Sequence, residues 1–323
     1  MYTFFCWGYI MEIFKITLMN VFITLLFILP GFILGKLNKM KTEHLSSMSQ
    51  LLVVVCMPLL IISSFLSMGE FNVNDFKQMG LFFFVSLVLQ IIFFIILFLF
   101  VRKKFEEPRY RLFTIGSTLA NVGFFGLPIV KAVLKDYPIV ACFSCVYVCS
   151  MNILVFTLGI FCITLDKKFI SLKKALLNPA SVGLYIAIIL YIFNVYRYIP
   201  VELNNGISIF AKMTTPLCMI ILGARLSSMK LKSIFVKKTV YITIFAKLIL
   251  FPLFCYFTVR FIPFLTYEFK SAVLILSACP TASMVSNLAE IEHQEEELSA
   301  NIVLLTTLSS IVSIPLVALL LLI

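Results

Sequence analysis

Two short stretches of this 323-residue chain hold the residue types from which a polar binding site can be built. One reads Asn121-Val122-Gly123-Phe124-Phe125-Gly126-Leu127-Pro128, and the other Ala278-Cys279-Pro280-Thr281-Ala282-Ser283-Met284-Val285-Ser286-Asn287. Each sets helix breakers and small polar groups inside an apolar run. Pro removes a backbone donor and clashes with the preceding turn, and Gly loosens a helix further. Backbone freed there must line a cavity or be buried in protein, because lipid cannot satisfy it. Interrupted hydrophobic segments at matching places in two halves of a chain point to a binding site. The alternative is a pair of kinked helices in which Gly allows close approach.

Other chemistry is scarce. Lys247 lies about ten residues into an apolar run, roughly 15 Å deep at 1.5 Å per residue, where a charge is usually functional. Snorkelling from that depth is strained. Lys131 admits either reading, and Lys212 and Arg225, near the two ends of one run, read as snorkelling cations. The only His residues, His44 and His293, sit in polar loops, so no metal site is expected. Cys142, Cys145 and Cys149 share one helix face and read as small packing residues. None of the fifteen Asp and Glu falls at the centre of an apolar run. A carboxylate-based proton relay or sodium site is therefore hard to build. An intramembrane hydrolase also lacks a nucleophile with its base, so no enzyme is expected.

The elements that must position these residues follow from composition. The chain is 62% hydrophobic with a mean hydropathy of +1.09, and only 13% of its residues are charged. A soluble protein cannot hide so much apolar surface. The apolar runs are continuous over about 20 residues, which indicates membrane-spanning helices rather than barrel strands. Ten spans are expected, near 14–35, 47–68, 76–101, 110–134, 138–164, 179–197, 206–228, 237–259, 270–291 and 298–322. The first ten residues lack a basic stretch and a small-residue cleavage site, so no signal peptide is expected, and Met11 is a second candidate start.

The net charge of +11 belongs to topology rather than to nucleic-acid binding. Alternate loops hold 17 of the 26 basic residues, among them Lys36, Lys39 and Lys41, then Arg102, Lys103 and Lys104, then Lys167 and Lys168, then Lys230, Lys232 and Lys237. Basic loops stay in the cytoplasm, which puts both termini outside. The segment from Glu290 to Glu297 has five Glu and no Lys or Arg, and acids weigh little in this rule.

Five spans on either side of the loop at 165–178 is an odd number, so halves that are copies must be inverted. The expected division is 1–164, the connecting loop 165–178, and 179–323. A faint echo supports it: Met57-Pro58-Leu59 and Thr215-Pro216-Leu217 each lie in the second span of a half.

The Asn121…Gly126-Leu127-Pro128 stretch resembles the span-four signature of the auxin efflux carrier family, which includes bacterial carriers of malonate and malate. Ala278-Cys279-Pro280 resembles its span-nine partner. Lys247-Leu248-Ile249-Leu250-Phe251-Pro252 and Thr306…Ser309-Ser310…Pro315-Leu316 are similar to the family's spans eight and ten. The resemblance covers nearly the whole chain. It implies an all-α integral membrane protein of ten helices in two inverted five-helix repeats, with broken helices four and nine crossing at mid-membrane. It also implies a scaffold that forms a homodimer. At the position of Asn121 the family's plant carriers have an Asn that contacts the substrate carboxylate, after a Pro. Here Ala120 precedes it, which moves the expected break toward Gly123–Pro128.

Electrostatics agree with that picture. Each half-helix start presents unpaired N–H groups and about half a positive charge, so two such starts aimed at one spot make an anion site. The expected site residues are Asn121, Gly123, Gly126, Pro128, Pro280, Thr281, Ser283, Asn287 and Lys247. The expected activity is alternating-access transport of a small organic anion across the cell membrane, without a cofactor and with sodium or a proton as the open choices of coupling ion. The rival readings are a membrane sensor or structural protein that keeps the fold, and a cation-coupled antiporter.

Overall fold

The computed structural model describes residues 2–228 and 238–322. Lys230, Lys232 and Lys237 of the expected fourth basic loop lie outside these residues. Eight helices among the described residues are long and apolar enough to cross a membrane. They are α1 (Met11–Lys36), α2 (His44–Leu66), α3 (Val73–Lys104), α6 (Ile139–Thr164), α7 (Lys167–Ile192), α8 (Val201–Ser228), α9 (Lys238–Arg260) and α12 (Glu296–Leu321). The stretches expected as spans four and nine are each two shorter helices. The first comprises α4 (Pro108–Thr118) and α5 (Val122–Val133), the second α10 (Tyr267–Ser277) and α11 (Ser283–Ile291). The protein is an all-α membrane protein, as its composition requires.

Two boundaries differ from the hydropathy pattern. α8 starts at Val201 rather than near 206, because the polar residues Glu202, Asn204 and Asn205 form its first turns. Apolarity marks the buried part of a helix, not its ends. The helix Pro179–Ile192 within α7 stops before Asn194, a left-handed residue that leads into the 3-10 turn Val195–Arg197.

Proline shapes several of these helices. The π-helical turns Leu52–Cys56, Val122–Gly126 and Ala246–Leu250 each end two residues before a Pro: Pro58, Pro128 and Pro252. The Pro ring clashes with the carbonyl four residues back, and a widened turn carries that carbonyl away. Pro216 and Pro315 lie within continuous α-helix, so Pro alone does not force the widening.

Close packing selects glycine where helices meet. A Cβ on Gly31 of α1 would stand 1.9 Å from Ile220 O of α8, and one on Gly223 of α8 would stand 2.0 Å from Ile28 O of α1. No side chain fits either contact, so α1 and α8 touch backbone to backbone. Aromatic rings lock a second group of helices. Phe82 of α3 stacks on Phe143 of α6 at 4.4 Å and meets Phe269 of α10 edge-on at 4.8 Å. Such pairs add about 0.5–1.5 kcal/mol each beyond their buried area. α6 is nearly all buried, and it packs against α5 and α10 of the two broken segments.

Candidate functional site: the crossover and its cavity

The two interrupted stretches meet. Leu119–Asn121 and Pro280–Ala282 run extended and antiparallel, forming an isolated bridge between Ala120 and Thr281. Asn121 N–H donates to Pro280 O at 2.8 Å, and Ala282 N–H donates to Leu119 O at 3.0 Å. The backbone groups released by two broken helices thus satisfy one another, as burial demands.

The first break lies upstream of its expected place. The chain leaves helical geometry at Leu119–Asn121, not in Gly123–Pro128, and re-enters through the π-helical turn Val122–Gly126. The partner segment decides this, because residues 119–121 are those that pair with Pro280–Ala282. Gly126 serves packing instead. A Cβ there would stand 2.8 Å from Cys279 Sγ and 2.9 Å from Leu276 Cδ2, so its absence lets the two stretches cross without a gap.

Surrounding helices hold the crossover. Thr281 Oγ1 donates to Gly116 O at 2.7 Å, and Thr281 N–H donates to Thr306 Oγ1 of α12 at 3.2 Å. Ser144 Oγ of α6 donates to Val122 O at 2.8 Å. Lys247 of α9 is fully buried, and its Nζ donates to Ser277 O at 3.2 Å and lies 4.3 Å from the Phe251 ring centre. Its ammonium therefore sits on the C-terminal end of α10, where the helix dipole favours a cation. The aromatic face adds cation–π attraction.

A cavity of about 160 Å³ opens beside the crossover. That is well above the roughly 10–15 Å³ a cavity needs to hold one water, so it has room for several. Its wall includes the first turns of both downstream half-helices: Val122, Gly123 and Phe124 of α5, and Ser283 and Met284 of α11. Neither helix start has a side-chain cap hydrogen bond, and the residue before α11, Ala282, has no side chain able to make one. The first turns of both half-helices therefore border the same space.

Of the residues singled out by sequence, Asn121, Gly123, Ser283 and Asn287 line this cavity. Gly126, Pro128, Pro280, Thr281 and Lys247 are not among its lining residues. Gly126, Pro280, Thr281 and Lys247 bind the crossover together, and Pro128 stands in the first turn of the helix Leu127–Val133. Lys131 and Lys212 are exposed. Sequence reasoning missed Asn152 of α6, whose Nδ2 donates to Asn178 Oδ1 at 3.2 Å, both of them on the cavity wall. It also missed Ser286. It placed Arg225 at an interface, whereas among the described residues Arg225 is the one charged side chain on that wall. A polar side chain in the middle of a buried apolar run was the available signal for Asn152. Asn178 gave none, because it caps the next helix and reads as a turn residue.

The buried charged side chains among the described residues are Arg111 and Lys247, both cations. Membrane-spanning helices, a mostly apolar interior cavity with a few polar groups on its wall, and broken helices meeting there are the parts of a membrane transport protein. The chain matches the family model described as membrane transport protein over residues 16–169 and 162–318. It belongs to that family, the auxin efflux carriers. Comparison with curated proteins finds no significant match. The protein is thus a multi-pass membrane transporter with a small-molecule substrate.

Proposed function

We propose that this protein is a secondary carrier of a small organic anion, a carboxylate, that binds where the broken helices meet and crosses by alternating access. One observation carries the reading: two helix starts without side-chain caps, at Val122 and Ser283, open onto one cavity. Unpaired N–H groups at helix starts favour an anion, and Asn121, Ser283 and Asn287 add neutral donors. At the crossover such a site holds a carboxylate by neutral donors and so lets it leave again.

In this reading the two broken pairs are the fourth and ninth of ten crossings, and 1–164 and 179–323 are inverted halves joined through 165–178. The protein sits in the cell membrane as a homodimer with both termini outside, and no cofactor takes part. Sodium or proton gradients are the candidate driving forces.

The test is uptake of radiolabelled acetate, lactate and succinate by liposomes holding the purified protein. The reading expects saturable flux of at least one acid. That flux should collapse in Asn121→Ala while the melting temperature is kept. Absence of flux for every acid, from protein shown to be folded and inserted, overturns it.

A further inference from the structure

Arg225 stands on the cavity wall and is already paired. Its Nη1 lies 3.1 Å from Glu290 Oε2, with the Arg side chain 23% and the Glu side chain 44% exposed. The two residues come from different parts of the fold. Arg225 belongs to α8, a continuous helix that packs on α1, whereas Glu290 belongs to α11, the half-helix whose start lies at the crossover. These helices also touch at Cys218 and Ser283, where Sγ and Oγ are 4.0 Å apart. Seven residues separate the contacts on both helices, so α8 and α11 flank the cavity side by side over about two turns, roughly 10 Å. One end of this wall carries the helix start and Asn121, and the other carries the ion pair.

We propose that Arg225 is an anion-capture residue, and that the incoming carboxylate takes the place of Glu290 on it. This inference rests on the proposed anion transport. Arg presents a planar fork of donors that suits carboxylate, and Glu290 already occupies it with one. A substrate carboxylate is the same chemical group, so the exchange conserves the ion pair of Arg225 while releasing Glu290 into water. The exchange frees α11 from α8. The pair is therefore a latch: it holds the half-helix of the site against the packed helix until an anion arrives.

The latch makes a prediction that a merely structural ion pair does not. Removing the cation removes the capture group, while removing the acid removes only its competitor. With succinate as the probe, KM should rise about tenfold in Arg225→Gln, the loss expected for hydrogen bonds to a charged group. KM should fall roughly threefold in Glu290→Gln, the release expected from a half-exposed pair. Lys212→Gln removes an exposed cation from the same helix and should leave KM unchanged. The succinate-induced rise in melting temperature should follow the same order, shrinking in Arg225→Gln and growing in Glu290→Gln. A structural pair predicts shifts of the same sign in both variants, and that result, or no shift in either, overturns the latch. Succinate flux in the wild-type protein with such a result leaves the transport reading standing. No flux of any acid and no thermal response in the wild type means that the transport reading itself has failed, and the latch with it.

Discussion

Asn121 does two jobs with two different groups. Its backbone N–H joins the crossover through Pro280 O, and its side chain lines the cavity. Substitution by Ala keeps the first and deletes the second. Asn121→Ala should therefore weaken substrate binding by about 1–3 kcal/mol, the range for leaving a buried partner unpaired. The melting temperature should stay near that of the parent. Isothermal titration or KM for the transported acid checks this, and unchanged affinity removes the side chain from the site. Lys247 shows how depth misleads at this scale. A deeply placed lysine invites a substrate role, but its Nζ sits on the C-terminal carbonyl of α10, away from the cavity lining. The Ser277 carbonyl it reaches is 30 positions away in the chain, and no local pattern announces it.

At the scale of the element, the question is what keeps the second broken pair broken. Pro280 disfavours helix at Cys279 and cannot donate. The bridge adds two backbone hydrogen bonds, about 0.5–1.5 kcal/mol each. Ala is about 3 kcal/mol better than Pro inside a helix, so in Pro280→Ala the gain from closing the helix equals or exceeds the two bonds it forfeits. Residues 278–282 should turn helical, and the donors at Ser283 should withdraw from the cavity. The expected result is a folded protein with little transport. Hydrogen exchange should show new protection at Ser283 and Met284, whose N–H groups would then join the helix ladder. If the break served only as a packing kink, stability and flux would fall together. Full transport by Pro280→Ala would separate this Pro from the mechanism.

For the whole molecule, charge placement predicts an orientation. Arg102, Lys103 and Lys104 close α3, and Arg109 and Arg111 open α4, so one end of this helix pair is strongly basic. The basic-loop rule assigns that end to the cytoplasm. A single Cys at position 104, introduced as Lys104→Cys, should therefore resist an impermeant thiol reagent added to intact cells and react once the membrane is opened. The eight described native cysteines are all buried, and a background without native Cys removes them from the readout. Labelling from outside reverses the topology and places both termini inside.

Composition and local pattern determined a good deal. Continuous apolar length forces membrane helices, because unpaired backbone cannot be left in lipid. Pro280 marked the second break, since a missing donor and a ring clash act within one turn. Alternating basic loops carried the expected orientation in the same local way. Tertiary structure decided the rest. The first break sits at Leu119–Asn121 because Pro280–Ala282 offers it a strand to pair with, from some 160 positions away. The cavity wall draws Asn152, Asn178 and Arg225 from three different helices. Arg225 looked like an interfacial cation because its partner, Glu290, is 65 residues further on in a loop read as neutral. Breakers, caps and apolar periodicity act over three or four residues and can be read along a line. Pairing between distant segments depends on which helices pack together, and only the folded chain specifies that.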